Sequence, residues 1–243
     1  MTVVIDTADP RVVAIVDAIH KGDTTGLRGL LAEHPELATA AFGTEVSGGM
    51  SRTALHVVTD WPGHYPNGPE IVAVLVNAGA DVNARFTGPH TETPLHWAAS
   101  SDDVAVLDAL LDRGADIEAG GAIIGGGTAL DDAVAFAQWN AARRLVERGA
   151  QVSLFNAAAL GHLDHVRERM SSHRLQEDLA NAFWGACHGG QPATARWLLE
   201  QGADRNWIAP RDGLTPLDAA RRNGFDELAE WLADQGCVSI KAT

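Results

Sequence analysis

Lysine, cysteine and tyrosine are scarce in this chain. Lys21 and Lys241 are its lysines, Tyr65 its one tyrosine, and Cys187 and Cys237 its two cysteines. Two cysteines outside any Cys-x-x-Cys pair supply neither a disulfide framework nor a paired-thiol metal site, which predicts a reducing, cytoplasmic setting. No apolar run nears the roughly 20 residues that a membrane-spanning helix needs, so no membrane partner is expected. Met1-Thr2-Val3-Val4-Ile5-Asp6 lacks the basic start of a signal peptide. Positive charge is short as well: Lys plus Arg is 18 against 32 for Asp plus Glu, a net charge of −14. With no local Lys/Arg cluster to offset that average, a phosphate backbone is repelled and nucleic acid is excluded as a partner. The preference for Arg over Lys, with abundant Ala and Gly, points to a GC-rich bacterial genome.

The 243 residues are 46% apolar and 21% charged, a globular composition. Their organisation is repetitive. Thr53-Ala54-Leu55-His56 recurs as Thr93-Pro94-Leu95-His96, Thr128-Ala129-Leu130-Asp131 and Thr215-Pro216-Leu217-Asp218. A glycine follows each one: Gly79, Gly114, Gly149 and Gly236. From the fourth motif residue to that glycine, 114 − 96, 149 − 131 and 236 − 218 all equal 18, whereas 79 − 56 = 23. The five extra residues fall at Tyr65-Pro66-Asn67-Gly68-Pro69. Two weaker units lie between Gly149 and Thr215. One closes on Gly202-Ala203-Asp204, which puts Trp184 in its fourth motif slot (202 − 18 = 184); the other holds Ala157-Ala158-Ala159-Leu160-Gly161-His162-Leu163. A further helix pair is expected from Asp9 to about Ala38, where Leu27, Leu30 and Leu31 recur at helical spacing. The reading is one domain, 1–243, with a capping helix pair in 1–40, repeats in 53–237 and a tail in 238–243.

The motif has a physical logic of its own. Thr93 suits a helix N-cap and Pro94 the first turn, where no intrahelical donor is needed. Leu95, Ala98 and Ala99 fall on one face, and the small residues allow close helix approach. Gly114 suits a left-handed helix end. No unit buries its apolar face alone, so stacking must supply the core. Thr-Pro-Leu-His with a closing Gly-Ala-Asp resembles the ankyrin repeat, over most of the chain from Thr53 to Gly236. The resemblance implies an all-α solenoid of about seven helix pairs with short finger loops, and an interaction role.

The resemblance also implies which positions face the concave groove. Carried over residue by residue, they are Val57, Trp97, Asp132, Asn156, Gly185 and Ala219, with a second set at Asp60/Trp61, Ser100/Ser101, Ala135/Phe136, Ala159/Leu160, His188/Gly189 and Arg222/Asn223. Helical spacing agrees, because Trp97 and Ser101, Asp132 and Phe136, and Asn156 and Leu160 are each i,i+4 pairs. Aromatic Trp61, Trp97 and Phe136 with sparse polar Asp60, Ser101, Asp132 and Asn156 fit either a small-ligand pocket or a protein-binding hot spot. The insertion adds His64 and Tyr65, and the finger 85–92 adds His90 and Glu92. The Gly-rich finger 120–127 reads as a hairpin or as a lid.

His56 and His96 occupy the motif slot whose imidazole bonds loop backbone, which leaves His64 and His90 as the free histidines. No metal-ligand spacing accompanies them, so no metal or other cofactor is expected. Asp132 is expected in a partly desolvated groove with a raised pKa. Cys187 falls in a buried small-residue slot, and Trp197 and Trp231 are packing residues. Two functions follow. The first is a cytoplasmic scaffold recognising a protein partner through the aromatic concave face, with a basic surface on the partner to match the negative charge. The alternative is a small-molecule-binding protein or cofactor-free enzyme of isomerase, lyase or hydrolase type, with Asp132, His64, His90 and Asp60 as acid–base groups.

Overall fold

The computed structural model describes residues 3–44, 49–172 and 176–240; the last three residues of the tail, 241–243, lie outside them. Two compact units make up the chain, 1–150 and 151–243.

The first unit opens with strand β1 (Val4–Asp6) and helices α1 (Pro10–Lys21) and α2 (Thr24–Glu33), the helix pair expected within 1–40. A 3-10 turn (Pro35–Ala38) leads to β2 (Ala41–Gly43) and β3 (Ser51–Thr53). Three helix pairs follow: α3 (Ala54–Thr59) with α4 (Gly68–Asn77), α5 (Pro94–Ser100) with α6 (Val104–Leu111), and α7 (Ala129–Ala135) with α8 (Trp139–Glu147). The second unit holds α9 (Leu154–Ala159) with α10 (Leu163–Ser172), α11 (Gln176–His188) with α12 (Pro192–Glu200), and α13 (Pro216–Arg222) with α14 (Asp226–Asp234). That makes seven helix pairs among the described residues. The three short strands are an addition to the all-α expectation: β1 pairs parallel with β2, and β2 antiparallel with β3, placing Phe42 opposite Arg52.

Helices α3, α5, α7 and α13 each start on a threonine that forms a reciprocal cap with the fourth motif residue. At His56 the imidazole Nδ1 accepts the Thr53 amide at 3.3 Å, so Nε2 carries the proton and donates to the Glu92 carbonyl at 3.2 Å. His96 repeats this with the Thr93 amide (3.2 Å) and the Gly127 carbonyl (3.3 Å). Burial pushes the His56 pKa down to about 4, so the ring works in its neutral form. Asp131 and Asp218 accept the Thr128 and Thr215 amides in the same slot. Trp184 fills its slot with different chemistry: the indole Nε1 donates to the Leu214 carbonyl of the next finger at 3.0 Å. Where the slot holds a ring, its N–H is aimed at the following finger, and two ring types supply one.

Packing follows these caps. In the first unit α5 lies between α3 and α7, and in the second α11 lies between α9 and α13. Leu55, Leu95, Leu107, Leu110, Leu130 and Leu145 are buried in the first unit, each stabilising the fold by about 1.5–3 kcal/mol of transfer free energy before entropy is counted. The second unit buries Leu179, Phe183, Leu198, Leu217 and Leu232 around Cys187. The insertion packs back on the first helix pair, where a Cβ on Gly22 (φ 69°) would meet the Pro66 carbonyl oxygen at 2.5 Å. Only glycine fits there.

Candidate functional site

Glu92 ends the finger 85–92 and is tied down from several sides. The His56 bond holds its carbonyl, which also accepts the Phe86 amide at 2.8 Å. Its carboxylate accepts Trp97 Nε1 at 3.0 Å and lies 2.6 Å from His90 Nδ1. Aromatic faces close the arrangement: Phe86 stacks on His90 at 5.1 Å and tilts against Trp97 at 5.5 Å, and His56 meets Trp97 edge-on at 4.9 Å.

Asp132, from α7, is fully buried and borders this group. Neither of its oxygens meets a protein donor in good hydrogen-bond geometry. Desolvation, then the charge and hydrogen bonding of Glu92, then the charge of Asp131, raise its pKa to about 8, opposed by the Ile124 amide. Burial and the neighbouring carboxylate thus favour the protonated form of Asp132. The finger 120–127 lies over it. Gly121 and Ala122 donate to the Gly126 and Gly127 carbonyls at 2.9 and 3.0 Å, and Ala122 is buried. That finger is a closed hairpin.

The structure thus brings His90, Trp97 and Asp132 together around Glu92. It corrects the expectation of a partly open Asp132, because the stacked first helices and the finger above leave no path for solvent to its carboxyl. It also corrects the expectation that His64 and His90 are free. His90 is committed to Glu92. The His64 amide donates to Asp103 Oδ2 at 2.8 Å and its Nε2 to the Ser101 carbonyl at 2.9 Å, so the residue fastens the insertion to the next repeat. Tyr65 turns to the first helix pair and stacks on His20 at 4.4 Å. Asp60 pairs with Arg52. Trp61 and Phe136 are exposed, at 81% and 45%. Asn156 belongs to the second unit, is buried, and receives its helix start from Ser153.

Sequence reasoning missed a cleft of about 410 Å³ in the first unit, walled by Phe42, Met50, Arg52, Phe86 and Trp97. Three of these five residues lie on the β2–β3 hairpin or in the segment joining its strands. The signal available was the β-branched run Val3-Val4-Ile5 ahead of α1, a strand in search of a partner. Among the described residues, no three His, Cys, Asp or Glu side chains are grouped to hold a metal ion. Among the described residues, no helix is long and apolar enough to cross a membrane.

The chain is similar to an ankyrin repeat and KH domain-containing protein of Caenorhabditis briggsae, 28% identical over 98% of this chain but 9% of that protein. It is also similar to the ankyrin repeat protein YahD of Escherichia coli (strain K12), 27% identical over 68% of this chain and 73% of that one. The crystal structure of the human ASB11 ankyrin repeat domain shares the fold at a TM-score of 0.54 and 18% identity, covering 90% of this chain and 96% of that one. The family model of ankyrin repeats (3 copies) matches residues 14–121, 67–156 and 154–242. On these matches, the chain belongs to the ankyrin repeat family.

Proposed function

We propose that the protein is a cytoplasmic binding scaffold whose first unit docks an apolar side chain of a partner protein in the Phe42–Met50–Phe86–Trp97 cleft. Ankyrin repeats are generally scaffolds for protein–protein interaction. The observation that carries the reading is the cleft itself, an apolar hollow of about 410 Å³ with Met50 60% exposed on its wall. Arg52 on the same wall pairs with Asp60, and the exposed Trp61 follows in the chain, so aromatic surface and a charged rim adjoin the hollow. The net charge of −14 favours a partner with basic residues flanking its apolar anchor.

Selection of a phage-displayed random peptide library on the full chain tests this. Enriched peptides are expected to share an apolar anchor flanked by Lys or Arg, and to bind Met50→Glu at least tenfold more weakly with unchanged melting. Absence of enrichment, or binding indifferent to Met50→Glu and Trp61→Ser, overturns it.

A second reading keeps the acid–base alternative, a small-molecule site or cofactor-free enzyme around Asp132, Trp97 and His90. Its support is a carboxylic acid that retains its proton up to about pH 8. Against it stands the complete burial of that acid. A metabolite-library thermal-shift screen of the native chain and Asp132→Asn decides: a compound that stabilises only the native chain supports this reading, and none across diverse chemistry rejects it.

A further inference from the structure

The second unit carries a separate cluster. The finger before α13 closes through Ala209 N–H to Leu214 O (3.0 Å) and Gly213 N–H to Ala209 O (2.8 Å), and Arg211 sits at its tip. The Arg211 guanidinium lies 4.3 Å from the Trp184 ring centre and 4.5 Å from that of Phe155, across two rings stacked 6.2 Å apart. Both rings are fixed by the fold, Trp184 through full burial and its bond to Leu214. A guanidinium stacked by its face keeps its N–H edge available for a planar acceptor.

Among the described residues, no hydrogen bond or ion pair engages that edge. Arg222 lies 5.9 Å from the same Trp184 ring, donates to Asp212 Oδ2 at 2.8 Å, and faces His188 Nδ1 at 3.2 Å, which Asn223 Nδ2 also approaches at 2.8 Å. Asp212 is thus taken up by Arg222, which leaves Arg211 without an ion-pair partner among the described residues. Burial lowers the Arg211 pKa, Asp212 opposes this, and the like charge of Arg222 adds to the lowering.

We propose that Arg211, held across Trp184 and Phe155, is a carboxylate-binding site for an acidic side chain of a partner protein. The cleft beside it, of about 350 Å³, is also bordered by Glu177 and Asp178. An isolated run of acids is repelled there, so the matching segment presents one Asp or Glu flanked by basic residues. The site is distinct from the first-unit cleft and stands or falls without it.

The test uses the full chain and two peptides, acetyl-Lys-Gly-Glu-Gly-Lys-amide and its Glu→Gln counterpart. General attraction to an acidic protein favours the Gln peptide, which carries more positive charge; a bond to Arg211 favours the Glu peptide. In an NMR titration the Glu peptide is expected to bind about tenfold more tightly, shifting the Trp184 indole resonance. That preference is expected to vanish in Arg211→Gln and to persist in Arg143→Gln, an exposed arginine of the first unit. Equal or weaker affinity for the Glu peptide, no binding of either, or a preference that survives Arg211→Gln overturns the assignment.

Discussion

The carboxyl of Asp132 is buried against that of Glu92, and burial together with that neighbouring charge raises its pKa to about 8. This pair sits behind Trp97, joining α7 to the finger that precedes α5.

A stability penalty that grows with pH is the first consequence. Unfolded aspartate titrates near about 3.9, while folded Asp132 titrates at about 8. Between those values the folded chain holds a proton that the unfolded chain has released. Stability therefore falls as pH rises from about 4 through about 8, then levels. Asp132→Asn removes this slope. Urea titrations are expected to show the variant near native stability at pH 4.5 and more stable by about 1–3 kcal/mol at pH 8.5; a variant destabilised equally at both contradicts the assignment of the proton.

Trp184→Phe keeps an aromatic ring against Phe155 and His188 but removes the donor to the Leu214 carbonyl. The carbonyl keeps the Ala209 amide, so the cost is that of one hydrogen bond, about 0.5–1.5 kcal/mol. Hydrogen exchange should reveal the loss locally as faster exchange at Gly213 and Leu214, whose finger depends on that bond.

At Gly22 the backbone angle of 69° and the 2.5 Å approach of the Pro66 carbonyl act together. Gly22→Ala is expected to lose about 1–3 kcal/mol, measured as a lower denaturation midpoint. Asn67, whose side chain bonds the Gly22 carbonyl at 2.9 Å, should show the largest chemical-shift change.

Both thiols are buried, and desolvation raises their pKa values, that of Cys187 strongly. Native protein at pH 8 is expected to resist iodoacetamide at Cys187 over hours, while urea-unfolded protein reacts at both cysteines within minutes. Rapid native labelling of Cys187 would show that the core of the second unit opens readily.

The seven helix pairs were legible because the motif states its physics locally. Threonine caps, a slot residue reaches the next finger, small residues face the core, and the glycine ends the second helix. Asp132 was legible as a group with a raised pKa, since its slot and neighbours predict desolvation. Its complete burial was not legible, because that depends on a finger of glycine and alanine whose sequence does not fix where it folds. His64 reads as free in sequence and is bound in the structure, since its partners, Ser101 and Asp103, lie 37 and 39 residues away. The β2–β3 hairpin escaped notice because strands of three residues carry almost no periodicity.

The ring bonds at His56, His96 and Trp184 all run the same way, from one repeat to the finger of the repeat that follows in sequence. Local damage therefore travels with a polarity. Replacing His96 removes the cap of its own helix and also unseats the finger at Gly127, so such a lesion reaches one repeat downstream of its cause.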